Sequence, residues 1–352
     1  MDNCSRLPPN FEQDMQAILA AVQKNRLLTM EIEPSLHCNF RCPYCYAPKP
    51  DDFQDELSLE EICDVILQGK GLGARKIIIL GGEPTIYPYL KEIIQFLWDQ
   101  GLEIELFTNG TGVNEGLARF FHDHAVRVVL KMNTFDRDLQ DKISGKKGAY
   151  EIIQSALKNL KAAGYPSKEA FLAVSTVICA LNIDELPRLW RWLRDQQIAP
   201  YFEMITPQAS AMDNQWVFVD SLRVYDLFKE LAEIDRRCYD EHWDPQPPLV
   251  GNRCFRHMFS CLVTSKGDVT PCVGVNLPMG NIRQDRLGEI IARSKLIRDL
   301  KNHRQTIKGP CGSCDQAEQC YGCRGAAFQM TGDYLASDPL CWKNSRNSGS
   351  EG

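Results

Sequence analysis

Leu28-Thr29-Met30-Glu31-Ile32-Glu33 alternates apolar and polar side chains, and shortly after it Cys38-Asn39-Phe40-Arg41-Cys42-Pro43-Tyr44-Cys45 sets three thiols on one short segment. The alternation predicts a strand with Leu28, Met30 and Ile32 on one face and Thr29, Glu31 and Glu33 on the other. The thiols then fall in the loop leaving the C-terminal end of that strand, where parallel α/β folds place their chemistry.

Strand and helix patterns alternate from there to residue 237. Ser58-Leu59-Glu60-Glu61 is a capping box opening a helix that ends near Gly69. Strands are expected at 76–80, 103–107, 127–133, 171–179 and 200–205. Helices are expected after Pro88, over 149–163, after a second capping box Asn182-Ile183-Asp184-Glu185, and over 220–237. Strands so connected are most economically parallel, with right-handed helical crossovers. Six βα units are fewer than a closed barrel's eight. The expected fold class is therefore α/β, an open partial (βα)6 barrel with polar residues at its mouth.

The chain has 352 residues, with 40 Lys and Arg against 46 Asp and Glu, so no DNA partner is expected from its charge. No apolar run approaches the roughly 18 residues of a membrane span. The start, Met1-Asp2-Asn3-Cys4-Ser5-Arg6, lacks the basic-then-apolar pattern of a signal peptide, so a cytoplasmic location is expected. The count of 15 Cys is odd. Without an export signal it points to metal rather than to a disulfide scaffold.

Asp244-Pro245-Gln246-Pro247-Pro248 reads as a boundary. It divides the chain into an extension (1–26), the partial barrel (27–245), a cysteine-rich domain (246–343) and a Ser-, Asn- and Gly-rich tail expected to be disordered (344–352). The cysteine-rich domain carries eight of the 15 Cys and few apolar residues, which suits folding around an inorganic centre.

Three thiolates on one loop can ligate three irons of a [4Fe–4S] cube and leave the fourth open. Zinc is the alternative, but His37 directly precedes Cys38 and is poorly placed to close a tetrahedron. The six His show no metal-ligand spacing.

Cys38-x3-Cys42-x2-Cys45, with Tyr44 before the last Cys, resembles the cysteine loop of the radical SAM superfamily. Gly81-Gly82-Glu83-Pro84, directly after the second strand, is similar to that family's turn for the amino end of S-adenosylmethionine. Glycines admit close approach of backbone carbonyls, and a carboxylate can pair an ammonium. The later cysteines resemble the SPASM domain. By that resemblance Cys254, Cys261, Cys272 and Cys323 hold one auxiliary cluster, and Cys311, Cys314, Cys320 and Cys341 a second. Two residues, Tyr321-Gly322, stand where the family has three. Three [4Fe–4S] clusters and S-adenosylmethionine are thus the implied cofactors.

The resemblance implies reductive cleavage of S-adenosylmethionine to a 5′-deoxyadenosyl radical and hydrogen abstraction from an unactivated C–H. The auxiliary clusters would then help to oxidise or cross-link the product. A reduced flavodoxin- or ferredoxin-like protein is the implied electron donor. Where relatives end strand four in Ser-Ile-Asp-Gly, this chain has Lys131-Met132-Asn133-Thr134. Asn133 and one of Lys131, Lys142 or Lys146 are the candidates to replace the missing cofactor contacts, Lys142 and Lys146 also reading as solvated surface residues; Ser175 is the polar position on strand five, and Glu203 on strand six is set to face substrate or cofactor. Val273 follows Cys272 where sulfatase-maturing relatives have Asp, which argues against formylglycine formation. Only 26 residues precede the first strand, too few for a separate peptide-binding core. A peptide would dock directly or on a carrier, and a small natural product is the other substrate class. The rival to an enzyme is a non-catalytic iron–sulfur scaffold or electron carrier.

Overall fold

The computed structural model describes residues 15–24, 26–47, 54–246, 254, 256–318 and 320–347. Six parallel strands form its centre: β1 (Thr29–Ile32), β2 (Lys76–Ile79), β3 (Glu103–Thr108), β4 (Arg127–Lys131), β5 (Leu172–Ile178) and β6 (Ala199–Met204). Each pairs with the next in sequence order, and β6 ends the row without returning to β1. This is the open partial barrel.

The ladder registers explain the two faces. Met30 pairs with Ile77, Ile77 with Ile104, Leu106 with Val128, and Val128 with Leu172. These residues share the outer face and join one core with Ile66, Ile93, Phe121, Leu157 and Leu193 of the crossover helices. Burial of such apolar surface, at about 25 cal/mol per Å², is the main stabilising term of the fold. On the inner face Glu31, Ile78, Glu105 and Arg127 lie at one level, and Lys131, Ser175 and Tyr201 at another. The inner wall is therefore polar and needs internal pairing. Glu105 is paired by Lys76 at 3.5 Å and Arg127 at 3.2 Å, and Glu31 by Arg256.

Three short strands of the cysteine-rich part extend the same sheet: β7 (Leu262–Val263), β8 (Asp268–Thr270) and β9 (Gly280–Asn281). β7 runs parallel to β1, with Glu31 opposite Leu262, and β8 and β9 follow antiparallel. The sheet has nine strands in the order β6-β5-β4-β3-β2-β1-β7-β8-β9. The cysteine-rich part also holds more apolar packing than its sequence promised. Val275, Leu296 and Leu300 form a small core with Cys272, while Val269, Leu287 and Ile290 join the main one.

Local expectations divide. The first capping box forms, with Ser58 and Glu61 bonding reciprocally at the start of helix Leu59–Gly71. The second does not. Asn182 instead accepts from Cys179 N and donates to the carbonyls of Asn133 and Val177, and helix Leu186–Asp195 begins without a side-chain cap. Helices Glu115–Asp123 and Arg137–Ser144 add to those expected. A helix, Met15–Gln23, lies in the N-terminal extension, and helix Trp342–Asn347 takes up residues 344–347, which were expected in a disordered tail. The remainder of the tail, 348–352, lies outside the described residues. Among the described residues no helix is long and apolar enough to cross a membrane.

Candidate active site

The loop after β1 is pinned from three sides. Arg41 N donates to Ser144 O at 3.2 Å, and Cys42 Sγ reaches the same carbonyl at 3.5 Å. Gly145 follows in the left-handed region at φ 58°, and a Cβ there would lie 2.0 Å from Arg41 O. The Arg41 guanidinium folds back on its own loop, donating to Phe40 O at 2.8 Å. Asn109 Nδ2 donates to Asn39 Oδ1 at 3.1 Å and approaches Cys38 Sγ at 3.9 Å. Gln208 bridges this loop to the other cysteine-bearing part, donating to Tyr46 O and Val273 O.

The glycine turn after β2 lies against the same segment. Gly82 N donates to Ser35 O and Glu83 N to His37 O. A Cβ on Gly81 would lie 2.4 Å from Ser35 O, and one on Gly82 2.1 Å from His37 O. These glycines are thus required first by backbone-on-backbone packing. Glu83 is already engaged by the protein. Its carboxylate is buried and accepts from Thr85 N, Thr85 Oγ1, Thr108 Oγ1 and Asn109 N at 2.5–2.9 Å. Side-chain pairing of an ammonium by Glu83 therefore has little acceptor capacity left. The carbonyls of Gly81 and Gly82 accept no backbone amide among the described residues.

The barrel candidates scattered over three strands meet. Lys131 Nζ donates to Ser175 Oγ at 3.1 Å, Ser175 Oγ donates to Glu203 Oε1 at 3.3 Å, and Lys131 pairs with Glu203 at 3.5 Å. Lys131 also lies over the Tyr44 ring, 5.3 Å from its centroid. Lys131 and Glu203 keep partial exposure, whereas Ser175 is buried. Asn133 is fully buried. Its Nδ2 donates to Tyr44 Oη at 3.1 Å and its Oδ1 accepts from Val177 N at 3.0 Å. It holds Tyr44 in place, these two bonds using one Nδ2 hydrogen and one Oδ1 lone pair.

Burial raises the carboxyls and thiols here. Glu33, which accepts from Tyr46 Oη at 2.8 Å, is pushed up to about 7 by burial. Burial, then the neighbouring Cys45, push Cys42 up to about 12, with Lys131 opposing. Cys38 is raised, again by burial. A soft cationic centre is what converts such buried thiols to thiolates.

In the later cysteine region the thiols fall into two neighbourhoods. Cys323 is raised by burial and then by Asp338, Cys254 and Cys272, and Cys320 by burial and then by Cys311 and Cys314. Cys341 likewise senses Cys311. Cys261 is raised to about 12 by burial and the Glu31 carboxylate, which also acts on Cys272. Backbone amides already point at several sulfurs, as from Val275 to Cys272, Ala326 to Cys323 and Asp338 to Cys311, each at 3.4 Å. The same region holds donors that sequence reading missed. Among the described residues, buried Arg324 has no acceptor for Nε and Nη2, and His303 Nδ1 has no partner. Buried donors without acceptors fit a site built for inorganic sulfide and thiolate. Among the described residues no three His, Cys, Asp or Glu side chains are grouped as they would be around a single ion.

A family model of the radical SAM superfamily matches residues 32–193. A model of the SPASM iron–sulfur cluster-binding domain matches residues 254–315. The chain is 24% identical over 350 residues to an AdoMet-dependent heme synthase of Methanosarcina barkeri, covering 92% of this chain and 98% of the relative. It is 28% identical over 323 residues to the PqqA peptide cyclase of Methylobacterium nodulans, covering 86% and 83%. The crystal structure of Streptococcus suis SuiB bound to S-adenosylmethionine superposes with a TM-score of 0.71 at 17% identity, over 95% of this chain and 84% of that one. At that identity the likeness is one of fold.

Proposed function

The chain belongs to the radical SAM superfamily and carries a SPASM domain, and from that premise we propose that it abstracts hydrogen from an unactivated C–H of a peptide side chain or small natural product, with oxidation or cross-linking as the net result. It is an enzyme of [4Fe–4S] clusters and S-adenosylmethionine. In this reading Cys38, Cys42 and Cys45 would hold a [4Fe–4S] cluster, which would supply the electron for reductive cleavage of S-adenosylmethionine.

The chain's own residues then have distinct tasks. The carbonyls of Gly81 and Gly82, which accept no backbone amide among the described residues, would receive the ammonium, since the Glu83 carboxylate already serves four protein donors. Tyr44, fixed by Asn133, separates the thiol loop from the charged group behind it. Lys131 and Glu203 present an ammonium and a carboxylate to substrate. Ser175 links them and gives a proton path of two hydrogen bonds. The eight thiols of the later region would hold auxiliary centres able to take up or return an electron, and a reduced flavodoxin- or ferredoxin-like protein would supply the first one.

The observation that carries this reading is that one residue, Tyr44, joins the three-thiol loop to the Lys131–Ser175–Glu203 group. Peptide and small-molecule substrates draw support alike, since the relatives include a heme synthase and a peptide cyclase. The test is 5′-deoxyadenosine formation by anaerobically reconstituted protein with dithionite. Cys38→Ala, Cys42→Ala and Cys45→Ala should each abolish it, and unchanged product in any of them refutes the assignment. Panels of short peptides and of carboxylated natural products, scored by stimulated turnover, then separate the substrate classes. With the stimulating compound, Glu203→Gln should lower modified product per 5′-deoxyadenosine about tenfold or more.

A further inference from the structure

The thiols of the later region differ in what is aimed at them. Cys272 Sγ accepts from Val275 N at 3.4 Å, just as Cys323 and Cys311 accept from backbone amides. It also has a neighbour of another kind. His257 Nε2 lies 3.3 Å from Cys272 Sγ, and His257 Nδ1 lies 3.0 Å from Tyr321 Oη. All three side chains are buried, with His257 3% exposed. Tyr321, His257 and Cys272 therefore form a row of polar groups shut off from water.

The chemistry of the sulfur decides where the hydrogen sits. A free thiol can donate, but a thiolate bound to metal can only accept. With Cys272 so engaged, the hydrogen between the two residues must be carried by His257 Nε2. Nδ1 then faces a hydroxyl, which donates or accepts as the ring requires. The 3.3 Å separation is that of an N–H···S hydrogen bond, so the ring acts on the sulfur and not on the metal. The turn that carries it, Arg256–Met258, is itself anchored, because Arg256 pairs with Glu31 of β1. Cys272 feels both of those charges, so this thiol is the one that faces the barrel wall.

We propose that His257 is a positioning residue of the first auxiliary centre: its Nε2–H holds the Cys272 thiolate by an N–H···S bond, and Tyr321 Oη holds the ring. The proposal rests on the SPASM reading that makes Cys272 a ligand, and it adds a donor to that reading while leaving the ligands as they are. A donor at a cluster sulfur counters negative charge, and that charge grows when the cluster gains an electron. The bond is therefore stronger in the reduced form, and the potential of this centre rises. The auxiliary centre beside the barrel is thereby made the readier acceptor of an electron from a substrate radical.

The test uses the full chain with Cys38→Ala, Cys42→Ala and Cys45→Ala, so that only auxiliary irons remain. Two four-iron centres give about eight irons per chain after anaerobic reconstitution. Adding His257→Phe, which keeps a ring and removes the donor, should leave that count unchanged. In redox titrations followed by EPR it should lower the potential of one centre by a tenfold change in its reduction equilibrium, about 59 mV for one electron. His257→Gln, which restores an N–H, should recover most of that fall, and Tyr321→Phe should lower the same centre by less. Unchanged potentials in iron-replete His257→Phe, or equal falls in the Phe and Gln variants, overturn the proposal. Loss of about four irons from both His257 variants overturns it as well, since the ring would then be needed to hold the centre at all. Failure of the starting protein to take up any iron would instead fail the SPASM reading beneath it.

Discussion

Gly145→Ala should do more harm than its size suggests, and the structure says how much. The substitution forces a side chain into the left-handed region at φ 58°, which costs roughly 1–2 kcal/mol. Its Cβ would also lie 2.0 Å from Arg41 O and 2.6 Å from the Arg41 carbonyl carbon. Those are backbone atoms of the three-thiol loop and cannot rotate away, so overpacking adds about 1–3 kcal/mol. Gly101 is the control. It has φ 67° but open space around the site of a Cβ, so Gly101→Ala bears the conformational term alone. The midpoints of anaerobic urea denaturation should therefore place Gly145→Ala about 1–3 kcal/mol below Gly101→Ala. Gly145→Ala should also form much less 5′-deoxyadenosine, because Arg41 lies between Cys38 and Cys42. Equal stability losses in the two variants, or wild-type cleavage by Gly145→Ala, would refute the steric account of how the loop is seated.

Two further outcomes follow from buried charge. Burial holds the Glu33 carboxyl at about 7, up from 4.5, so the folded chain binds this proton more tightly than the unfolded one. Its contribution is full below about pH 4.5 and is lost as pH rises to about 7, by roughly 3 kcal/mol at most. Glu33→Gln should flatten stability over that window, and parallel curves for variant and wild type would count against it. Asp235 accepts from Trp190 Nε1 at 2.8 Å and Trp243 Nε1 at 2.9 Å and pairs with buried Arg194 at 3.2 Å. Asp235→Ala removes the guanidinium's paired carboxylate and leaves the weaker influence of Glu241, so it should cost about 3–5 kcal/mol in denaturant unfolding, with a loss under about 1 kcal/mol contradicting the claim.

The parallel strands were legible because apolar runs, and in β1 a period-two alternation, are local properties. The residues of β1 declare which face is apolar before any partner is known. The three-thiol loop was legible for the same reason, being a spacing within one segment. What was hidden depends on partners distant in sequence. Asn182 resembles a helix cap until Asn133 and Val177 offer it carbonyls. Glu83 looks available until Thr108 and Asn109 close on it. Cys254 and Cys261 look alike until the β1–β7 register gives Cys261 a face. β7 has two residues and β8 three, too few to show any period. Lys131, Ser175 and Glu203 were each visible as a polar residue in an apolar strand, but their convergence follows from the pairing of β4, β5 and β6.

The shared strand β1 has a mechanical consequence. Its amides at Leu28, Glu31 and Glu33 donate to Phe259, Cys261 and Val263, so the thiol loop and the segment leading into the hairpin hang from one hydrogen-bonded seam. The spacing between the two regions is then fixed by a ladder rather than by a hinge, which holds any electron path between them at constant length. A barrel severed at residue 245 would bare that seam as a sticky margin inviting intermolecular pairing, so the two halves are best regarded as one inseparable folding unit.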